Sequence, residues 1–419
     1  MSHSGASEGT RALHNRWLIV LASALALSGG QGAINVFAGG LFIGPLTQDL
    51  GVGRGVLSSA IGMSSMMTAL ASPFVGRLAD RYGARATLLV SIVAFALATA
   101  ALSQLQTALL FPLFALSGLC GAGQTATPYA KVVVGWFDRE RGLAIGVTLI
   151  GVGLGTVLAP PLAAYLIGQF GWRSAYAGMG VAIFLVAFVP TALFIREREA
   201  TARGRANPDL PGIAFADAVS HSRQYWLLVA AFFLSSLGIN GILIHVVPLL
   251  TDRGMSVQAA TGIVSASGLA AIVSRLICGY LIDRMFAPFV GIAFLVIPIA
   301  GVAVFASGLG GCAPLLAGIC VGAGLGAEVD LMSFLIGRYF GLRAFGSLHG
   351  LMFSAFLLGQ AGGASGWSQE LLGSYTPGFA VLEIAFVIAC ALFAFLGPYR
   401  YPPGHDEPAA ASAALREAA

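Results

Sequence analysis

Ionisable residues interrupt long apolar stretches of this sequence, among them Arg275, Glu328 and Asp330. If those stretches cross a lipid bilayer, a charge near its centre costs on the order of 3 kcal/mol and needs a reason. The arginine lies eight residues before Asp283, about 12 Å from that end of a helix. A guanidinium is a planar fork that matches a carboxylate and stays protonated at any pH. We expect Arg275 to bind a substrate carboxylate; the alternative is a structural ion pair with an acid on another helix.

The two acids stand two positions apart, so on a helix their side chains point to nearly opposite sides. Glu328 and Asp330 therefore do not both face one cavity. One of them is expected to bind and release protons, and the other to pair with Arg275 or with Lys131. The alternative is that one or both are structural partners of buried cations.

Lys131 is the single lysine of the chain and follows Gln124 and Thr127 in one apolar stretch. We expect these three side chains to line a polar cavity and to bind the same anion as Arg275. Lys131 has two alternative roles. It can form an ion pair with one of the two acids, or its long side chain can reach the membrane surface about 10 Å away.

Histidine changes its charge near neutral pH, so a histidine in an apolar stretch is a candidate proton carrier. His245, near the end of such a stretch, is expected to act as a proton relay or a gate. The alternative is a structural polar contact. His349 and Glu383 are weaker candidates for proton binding.

Long apolar helices must position these residues. The 419-residue chain is 57% hydrophobic and 10% charged, whereas soluble domains carry about a quarter charged residues. Its apolar stretches have the length of about twenty residues that a helix needs to cross the hydrocarbon core. We predict an all-α membrane protein with twelve transmembrane helices near residues 17–47, 56–76, 86–104, 107–136, 142–168, 174–195, 225–250, 258–282, 287–308, 312–339, 344–372 and 377–398.

Basic residues mark one set of loops. Arg77, Arg81 and Arg85 follow the second span, and most other arginines lie in loops on the same side of the predicted membrane. By the positive-inside rule this side and both termini are cytoplasmic, and we expect the cell inner membrane as the location. The net charge of +4 is therefore a topology signal, and no nucleic-acid partner is expected.

The sequence lacks the motifs of common catalytic and cofactor sites. It has no GxxxxGK[ST] phosphate loop, no HExxH motif and no paired Cys/His spacing for zinc. We therefore expect no cofactor, no metal and no enzymatic activity. The five cysteines lie in or beside predicted spans and are interpreted as small apolar residues.

An internal repeat divides the chain into two halves. Residues 76–81 follow the second span and the similar residues 279–284 follow the eighth, with Asp80 and Asp283 lying 203 residues apart. Trp136 and Tyr339 close two other spans at the same offset. Two motifs at one offset predict two pseudo-symmetric bundles of six helices in parallel orientation.

The boundaries of these units follow from the polar segments of the chain. A linker separates the halves, and the Ala- and Pro-rich end is predicted to be disordered. The predicted units are a cytoplasmic N-terminus 1–16, a first bundle 17–196, a linker 197–224, a second bundle 225–399 and a tail 400–419.

The first copy of the repeat resembles the signature loop of the major facilitator superfamily, G-x-x-x-D-R-x-G-x-R. Its fixed positions are Gly76, Asp80, Arg81, Gly83 and Arg85, and the second copy keeps Gly279, Asp283 and Arg284. The resemblance covers the whole chain and implies the major facilitator fold. It also implies gate residues between the bundles, which are Asp80, Arg81, Arg85, Asp283 and Arg284.

Within that superfamily, the chain resembles the branch of monocarboxylate transporters and oxalate:formate antiporters. The resemblance rests on residues 136–144, residues 338–346 and Arg275, which occupies the anion-binding position of the branch. Monocarboxylate carriers place an Asp one turn before this arginine, where the chain has Ala271. The added lysines of the branch, in the first or eleventh helix, are also absent. A doubly clamped dicarboxylate and proton coupling through an acid of helix eight are therefore not expected.

The resemblance and the buried charges together predict a secondary active transporter. We expect it to move a small organic anion, most simply a monocarboxylate, by alternating access with protons, or with a counter-anion in exchange. It is expected to work as a monomer in the lipid bilayer. One alternative is the same fold carrying a bulkier or less charged catabolite, such as an aromatic acid or lactone, or a vitamin. Another is a membrane sensor without transport.

Overall fold

The computed structural model describes residues 4–137, 140–197, 210–243, 245–363 and 376–401. Across these ranges the regular secondary structure is helical, apart from an isolated β-bridge between Gly212 and Gly341. The all-α prediction is confirmed for this part of the chain. Residues 198–209 of the predicted linker and residues 402–419 of the predicted tail lie outside the described residues.

Ten described segments are long and apolar enough to cross a membrane. One of them, Arg141–Phe194, has 54 residues and as a straight helix would be about 80 Å long, far more than one crossing needs. It breaks at Gly171, where a positive φ of 75° suits a residue without a Cβ. This segment therefore supplies two crossings, and Phe345–Gly363 brings the total to the twelve that the apolar pattern predicted.

The first bundle contains α1 to α6. Their bounds are Ser4–Ser28, Gly32–Ala38 and Gly39–Leu50 for α1, Arg54–Tyr82 for α2, Ala84–Ala101 for α3, Leu110–Gly121 and Ala126–Trp136 for α4, 141–170 for α5 and 172–194 for α6. The middle piece of α1 is a π-helix, and the turn Ala122–Gln124 interrupts α4. Both interruptions lie inside segments that are long and apolar enough to cross a membrane.

The second bundle contains α7 to α12. Their bounds are Arg223–Leu243 and Val246–Asp252 for α7, Val257–Ile282 for α8, Ala287–Ser307 for α9, Ala313–Tyr339 for α10, Phe345–Gly363 for α11 and Thr376–Ala394 for α12. Within this bundle α10 packs against α8 and α9, and α11 packs against α7. Between the bundles α2 packs against α11, and α5 packs against α8. The repeat thus generates two equivalent contacts between the halves.

The turns α2–α3, α4–α5, α8–α9 and α10–α11 lie on one side of the bundles, which we refer to as the basic side. The described end of the linker is attached there. Ile213 donates its amide to the Phe340 carbonyl, and Leu342 donates to the Pro211 carbonyl, both at 2.9 Å. The guanidinium of Arg77, from α2, lies 4.9 Å from the Phe215 ring centre. The linker therefore contacts both bundles.

Glycines allow helices of one bundle to approach closely. Gly322 of α10 lies against Ser267 of α8, and a Cβ on Gly322 would overlap the Ser267 backbone. We expect Gly322→Ala to lower the free energy of unfolding by about 1–3 kcal/mol, because the two backbones must separate. Thermal unfolding of the purified protein in detergent measures the change.

The matched control is Gly262→Ala on α8, where a Cβ would meet nothing within 4 Å. Its unfolding midpoint should equal that of the wild type or exceed it, since alanine is the better helix former. A Gly322→Ala protein that unfolds at the same temperature as the Gly262→Ala protein would show that α8 and α10 do not pack this closely.

Candidate functional site

A carboxylate at the end of α2 joins the two bundles at the basic side. Asp80 accepts hydrogen bonds from the amides of Gly346 at 2.9 Å and Ser347 at 2.7 Å, and from the Ser347 hydroxyl at 2.6 Å. These amides belong to the first turn of α11, where N–H groups lack helical partners and the helix dipole favours a negative charge. Asp80 therefore caps a helix of the opposite bundle.

The repeat places a second carboxylate in the equivalent position. Asp283, after α8, accepts hydrogen bonds from the amides of Gly142 at 2.7 Å and Leu143 at 3.0 Å, at the start of α5. Burial raises the pKa of Asp283, and the two amides act in the opposite direction. We refer to the two carboxylates and the helix starts that they cap as the basic gate.

The arginines expected at this gate stay in their own bundles. The guanidinium groups of Arg81 and Arg284 each lie over a tyrosine ring of the same bundle, 5.3 Å and 3.5 Å from the ring centre. Arg85 donates to the Ala192 carbonyl of α6 at 2.8 Å. The contact between the bundles expected from Arg85 is therefore not formed in this state, because its side chain reaches α6 and not α11.

Lys131 completes the α2 half of the gate. Its ammonium lies 2.8 Å from the Asp80 carboxylate and 2.5 Å from the Ala79 carbonyl oxygen. Both charged side chains of the pair are only 10% exposed, so salt screens their interaction weakly. The alternative in which Lys131 pairs with Glu328 or Asp330 is not formed in this state, because Asp80 at the end of α2 is the acid beside the Lys131 ammonium.

Glycines along the facing helices locate the closed and the open ends of the interface. A Cβ on Gly76 of α2 would overlap α11, and a Cβ on Gly142 of α5 would overlap α8. Gly62 lies fourteen residues before Gly76 on α2, and Gly268 lies eleven residues before Gly279 on α8. These spacings are close to whole numbers of turns, so each pair shares one face of its helix. Gly62 and Gly268 are exposed, and a Cβ on either would meet nothing within 4 Å. The bundles thus touch at the basic side and separate toward the other side.

A buried ion pair lies between the gate and the open side. Arg275 of α8 donates from Nη1 to Oδ1 of Asp330 on α10 at 3.0 Å. The Asp330 side chain is 0% exposed, whereas the Arg275 side chain keeps 11% exposure. Oδ2 of Asp330 makes no hydrogen bond with any part of the chain that the structure describes. In this state Arg275 is held by one of the two acids considered from the sequence.

This ion pair also faces the first bundle. Gly146 of α5 packs against it, and a Cβ there would lie 2.9 Å from the Arg275 carbonyl oxygen and 3.5 Å from Asp330 Oδ2. Because Gly146 has no side chain, the unbonded carboxylate oxygen faces α5 directly. The pair therefore lies on the boundary between the bundles, about two helical turns from the basic end of α8.

Glu328 faces the other side of α10, as the two-residue spacing predicted. It lies in the wall of a small apolar cavity of the second bundle, with Phe232 and Ser235 from α7, Phe294 from α9 and Phe393 from α12. Glu328 is 3% exposed, and neither carboxylate oxygen makes a well-formed hydrogen bond within the described ranges. The two acids of α10 thus have different surroundings, and only Asp330 has a cation beside it.

The remaining residues singled out in the sequence lie in three places. The Gln124 side chain points into the first bundle, where its Oε1 accepts from the Tyr129 hydroxyl at 3.0 Å. Thr127 faces the second bundle and is hydrogen-bonded to His349, which the sequence analysis treated as a weaker candidate for proton binding. His245 lies half-buried in the break of α7. A part for His245 in proton transfer stays a prediction.

The family model described as Major Facilitator Superfamily matches residues 17–364. Monocarboxylate transporter 11 of Mus musculus is 26% identical over 346 residues, which are 79% of this chain and 74% of that protein. The oxalate:formate antiporter of Oxalobacter formigenes is 25% identical over 296 residues, or 68% of each protein.

A solved structure supports the fold. The proton:xylose symporter XylE, bound to 6-bromo-6-deoxy-D-glucose, superposes with a TM-score of 0.71 over 95% of this chain and 99% of that chain. Its sequence is 13% identical, so the likeness concerns the arrangement of helices and not the transported solute. The site itself must indicate the solute.

Proposed function

Because this chain belongs to the Major Facilitator Superfamily, we propose that it carries a small monocarboxylate across the membrane together with a proton. The family match over residues 17–364 and the apolar helices establish a multi-pass membrane transporter with a small-molecule substrate. The resemblance to the superfamily, and to its branch of monocarboxylate and oxalate carriers, is confirmed by the relatives. The monocarboxylate, the proton and the orientation of the protein are the proposal.

The observation that carries this proposal is the buried pair of Arg275 and Asp330, 3.0 Å apart. A buried charge left without a partner costs several kcal/mol, so each charge in this site needs an opposite charge or a proton. When a substrate carboxylate takes the guanidinium, Asp330 loses its partner and must bind a proton. The anion and the proton then enter together, and the site stays neutral throughout the cycle.

This arrangement replaces an acid that the family resemblance placed elsewhere. Monocarboxylate carriers hold the acid on α8, where this chain has Ala271, but the structure brings Asp330 of α10 to the same arginine. In this proposal the acid that couples proton binding to solute binding lies on a different helix from that of monocarboxylate carriers, because the coupling depends only on the distance between the acid and the guanidinium. Asp330 takes the proton-coupling part in our proposal, and Glu328, without a cation beside it, is held neutral.

The number of cations favours a single carboxylate. The sequence contains no Lys or Arg between residues 17 and 53, which include most of α1, or between residues 344 and 399, which include α11 and α12. Lys131 is bound to Asp80 at the gate. A second carboxylate on the solute would therefore find no cation on these helices, and its burial would be unfavourable.

The basic loops define the orientation in this proposal. We place the basic side in the cytoplasm, following the positive-inside rule, and the protein in the cell inner membrane as a monomer. The closed basic gate then corresponds to an outward-facing state, in which the solute reaches Arg275 from outside. Separation of α2 from α11 and of α5 from α8 would open the path to the cytoplasm.

Uptake into proteoliposomes tests the proposal. Labelled monocarboxylates, dicarboxylates and the uncharged amides of the same acids are compared with and without an inward proton gradient. We expect saturable uptake of a monocarboxylate, with accumulation of up to about tenfold per unit of pH difference for a one-to-one symport. The amides should be neither carried nor competitive.

Two outcomes would contradict the proposal. Equal transport of the amides, or transport of uncharged aromatic compounds, lactones or vitamins alone, would support the alternative of a bulkier and less charged solute. Saturable binding of a solute without any uptake would indicate a membrane sensor. In either case the membership of the superfamily is unaffected.

A further inference from the structure

One histidine is part of a hydrogen-bonded link between the two bundles. Nδ1 of His349, on α11, lies 2.9 Å from the Thr127 hydroxyl of α4, and Nε2 lies 2.9 Å from the Ser333 hydroxyl of α10. The residue is 0% exposed, and the rings of Phe345 and Phe353 lie 5.6 Å and 6.0 Å from its own. Water therefore does not reach the imidazole while the basic side is closed.

The hydrogen bonds fit a neutral imidazole that is protonated on Nε2. The Ser333 hydroxyl donates to the Val329 carbonyl at 3.0 Å, so its oxygen accepts the proton of His349 Nε2. Nδ1 then has a free lone pair and accepts from the Thr127 hydroxyl. Every polar atom of the link is satisfied in this form. A second proton, on Nδ1, would turn the Thr127 bond around and place a positive charge in a dry site.

The charged groups on the helices packed against α11 do not offer a counter-ion. Asp80 of α2 is bound to Lys131 of α4, and Asp330 of α10 is bound to Arg275. The other acids on the described parts of these helices are Glu328 of α10 and Asp252, which is the last residue of α7. The hydroxyl of Tyr225 on α7 donates to the Leu348 carbonyl. Glu328 faces the apolar cavity on the far side of α10. An imidazolium at this position is thus stable only where water enters.

We propose that His349 is a pH-dependent latch that holds the basic side closed while its ring is neutral. Protonation requires that Thr127 and His349 separate and that water enters between α4 and α11, so protons bind to the open form. By linkage, a lower pH on the basic side favours opening of that side. The latch acts on bundle closure and is independent of the solute and of Asp330, so it goes beyond the proposed function.

The size of the effect follows from the ordinary imidazole pKa. A water-exposed histidine titrates with a pKa of about 6.5. If only the open form binds this proton, lowering the pH from 7.5 to 5.5 raises the ratio of open to closed protein about tenfold. A variant that cannot be protonated at this position should show no such change from the latch.

Distance measurements between spin labels test the latch without any solute. The labels replace Tyr82 and Met285, which are 57% and 53% exposed at the basic ends of α2 and α8, in opposite bundles. The five native cysteines are replaced by alanine, and the protein is reconstituted in nanodiscs. We expect the population with the longer distance to grow about tenfold, relative to the closed one, between pH 7.5 and pH 5.5. In His349→Gln the same ratio should change less than about twofold.

A pair of hydroxyl variants separates the latch from a merely structural role. Thr127→Val removes the bond between the bundles, whereas Ser333→Ala removes a bond inside the second bundle. One hydrogen bond corresponds to a factor of about 2 to 12 in an equilibrium. We expect Thr127→Val to raise the open population at pH 7.5 by such a factor and Ser333→Ala, which breaks no bond between the bundles, to raise it less.

Either of two results would overturn the proposal. One is a pH-dependent opening of equal size in the wild type and in His349→Gln, which would assign the response to other groups. The other is a wild-type distance distribution that does not change between the two pH values. Thermal unfolding of each labelled variant confirms that the compared proteins are folded. Failure of monocarboxylate uptake would leave these distances, and hence the latch, untouched.

Discussion

Arg275→Ala is expected to lower monocarboxylate uptake at low solute concentration by a factor of roughly 30 to 5,000. Removal of one partner of a buried, hydrogen-bonded charge pair costs about 2–5 kcal/mol, which corresponds to this range. Arg275→Lys keeps the charge but loses the planar fork that binds both carboxylate oxygens, so it should restore only part of the uptake. Initial rates in proteoliposomes measure both variants.

Asp330→Asn should separate exchange from accumulation. Without the carboxylate, the guanidinium of Arg275 is neutralised only by the solute, and no proton is needed when the solute binds. The loaded carrier should therefore still exchange labelled for unlabelled solute. The empty carrier would bury an unpaired arginine when the bundles rock, so net accumulation driven by a pH gradient should fall to the level of liposomes without protein.

Glu328→Gln is the matched control for Asp330→Asn, because it changes a buried acid two residues away on the same helix. If Glu328 is held neutral in its apolar wall, the amide replaces a carboxylic acid of the same shape, and both exchange and accumulation should persist. The reverse result, accumulation by Asp330→Asn and none by Glu328→Gln, would make Glu328 the proton carrier. Normal uptake by Arg275→Ala would make the arginine structural and remove the basis for a carboxylate.

The second large effect is expected at the basic gate. Each gate carboxylate accepts hydrogen bonds from two backbone amides of the opposite bundle. Asp80→Asn and Asp283→Asn would turn one acceptor oxygen into an NH₂ group that faces a backbone N–H. Hydrogen bonds to charged groups contribute about 1.5–3 kcal/mol, so each variant should raise the ratio of open to closed protein at the basic side roughly tenfold to a hundredfold.

The double variant and a control on the opposite side sharpen this prediction. The two caps share no partner, so the factors should multiply in the double variant. Asp49→Asn is the control: Asp49 accepts from Arg173 at 2.6 Å within the first bundle, far from the gate. The spin-label distance between positions 82 and 285 should lengthen in the gate variants and not in the control. Equal distances in all of them would mean that the caps do not hold the bundles together.

The sequence was most informative where the two halves repeat a pattern. The offset of 203 residues identified Asp80 and Asp283 as equivalent, and the family resemblance made them gate candidates. Their partners were not identified, since they are backbone amides of helices that begin in the other half. A pattern of side chains can identify functional residues, but it carries little information about contacts that those residues make with backbone amides.

The sequence did not predict which side chains of neighbouring helices contact each other. Lys131 forms an ion pair with Asp80, and His349 forms a hydrogen bond with Thr127, which is 222 residues earlier in the chain. Such partners depend on the tilt of each helix and on which face of it turns to its neighbour. Gln124 illustrates the same limit, because the turn that interrupts α4 directs its side chain into the first bundle. Periodicity alone does not predict where a helix is interrupted.

The glycine series along α2 has a kinetic consequence. One helix face carries a small residue at each end, and in this state only the end at Gly76 is packed against the opposite bundle, while Gly62 is exposed. When the bundles rock to the other orientation, the end of α2 at Gly62 is expected to pack against the opposite bundle. The stability of that contact will depend on how closely the two helix backbones can approach. Residue volume at the two ends therefore sets the dwell time of each orientation. The directional bias of such a carrier can be changed by steric means alone, without altering a charge or the chemistry of binding.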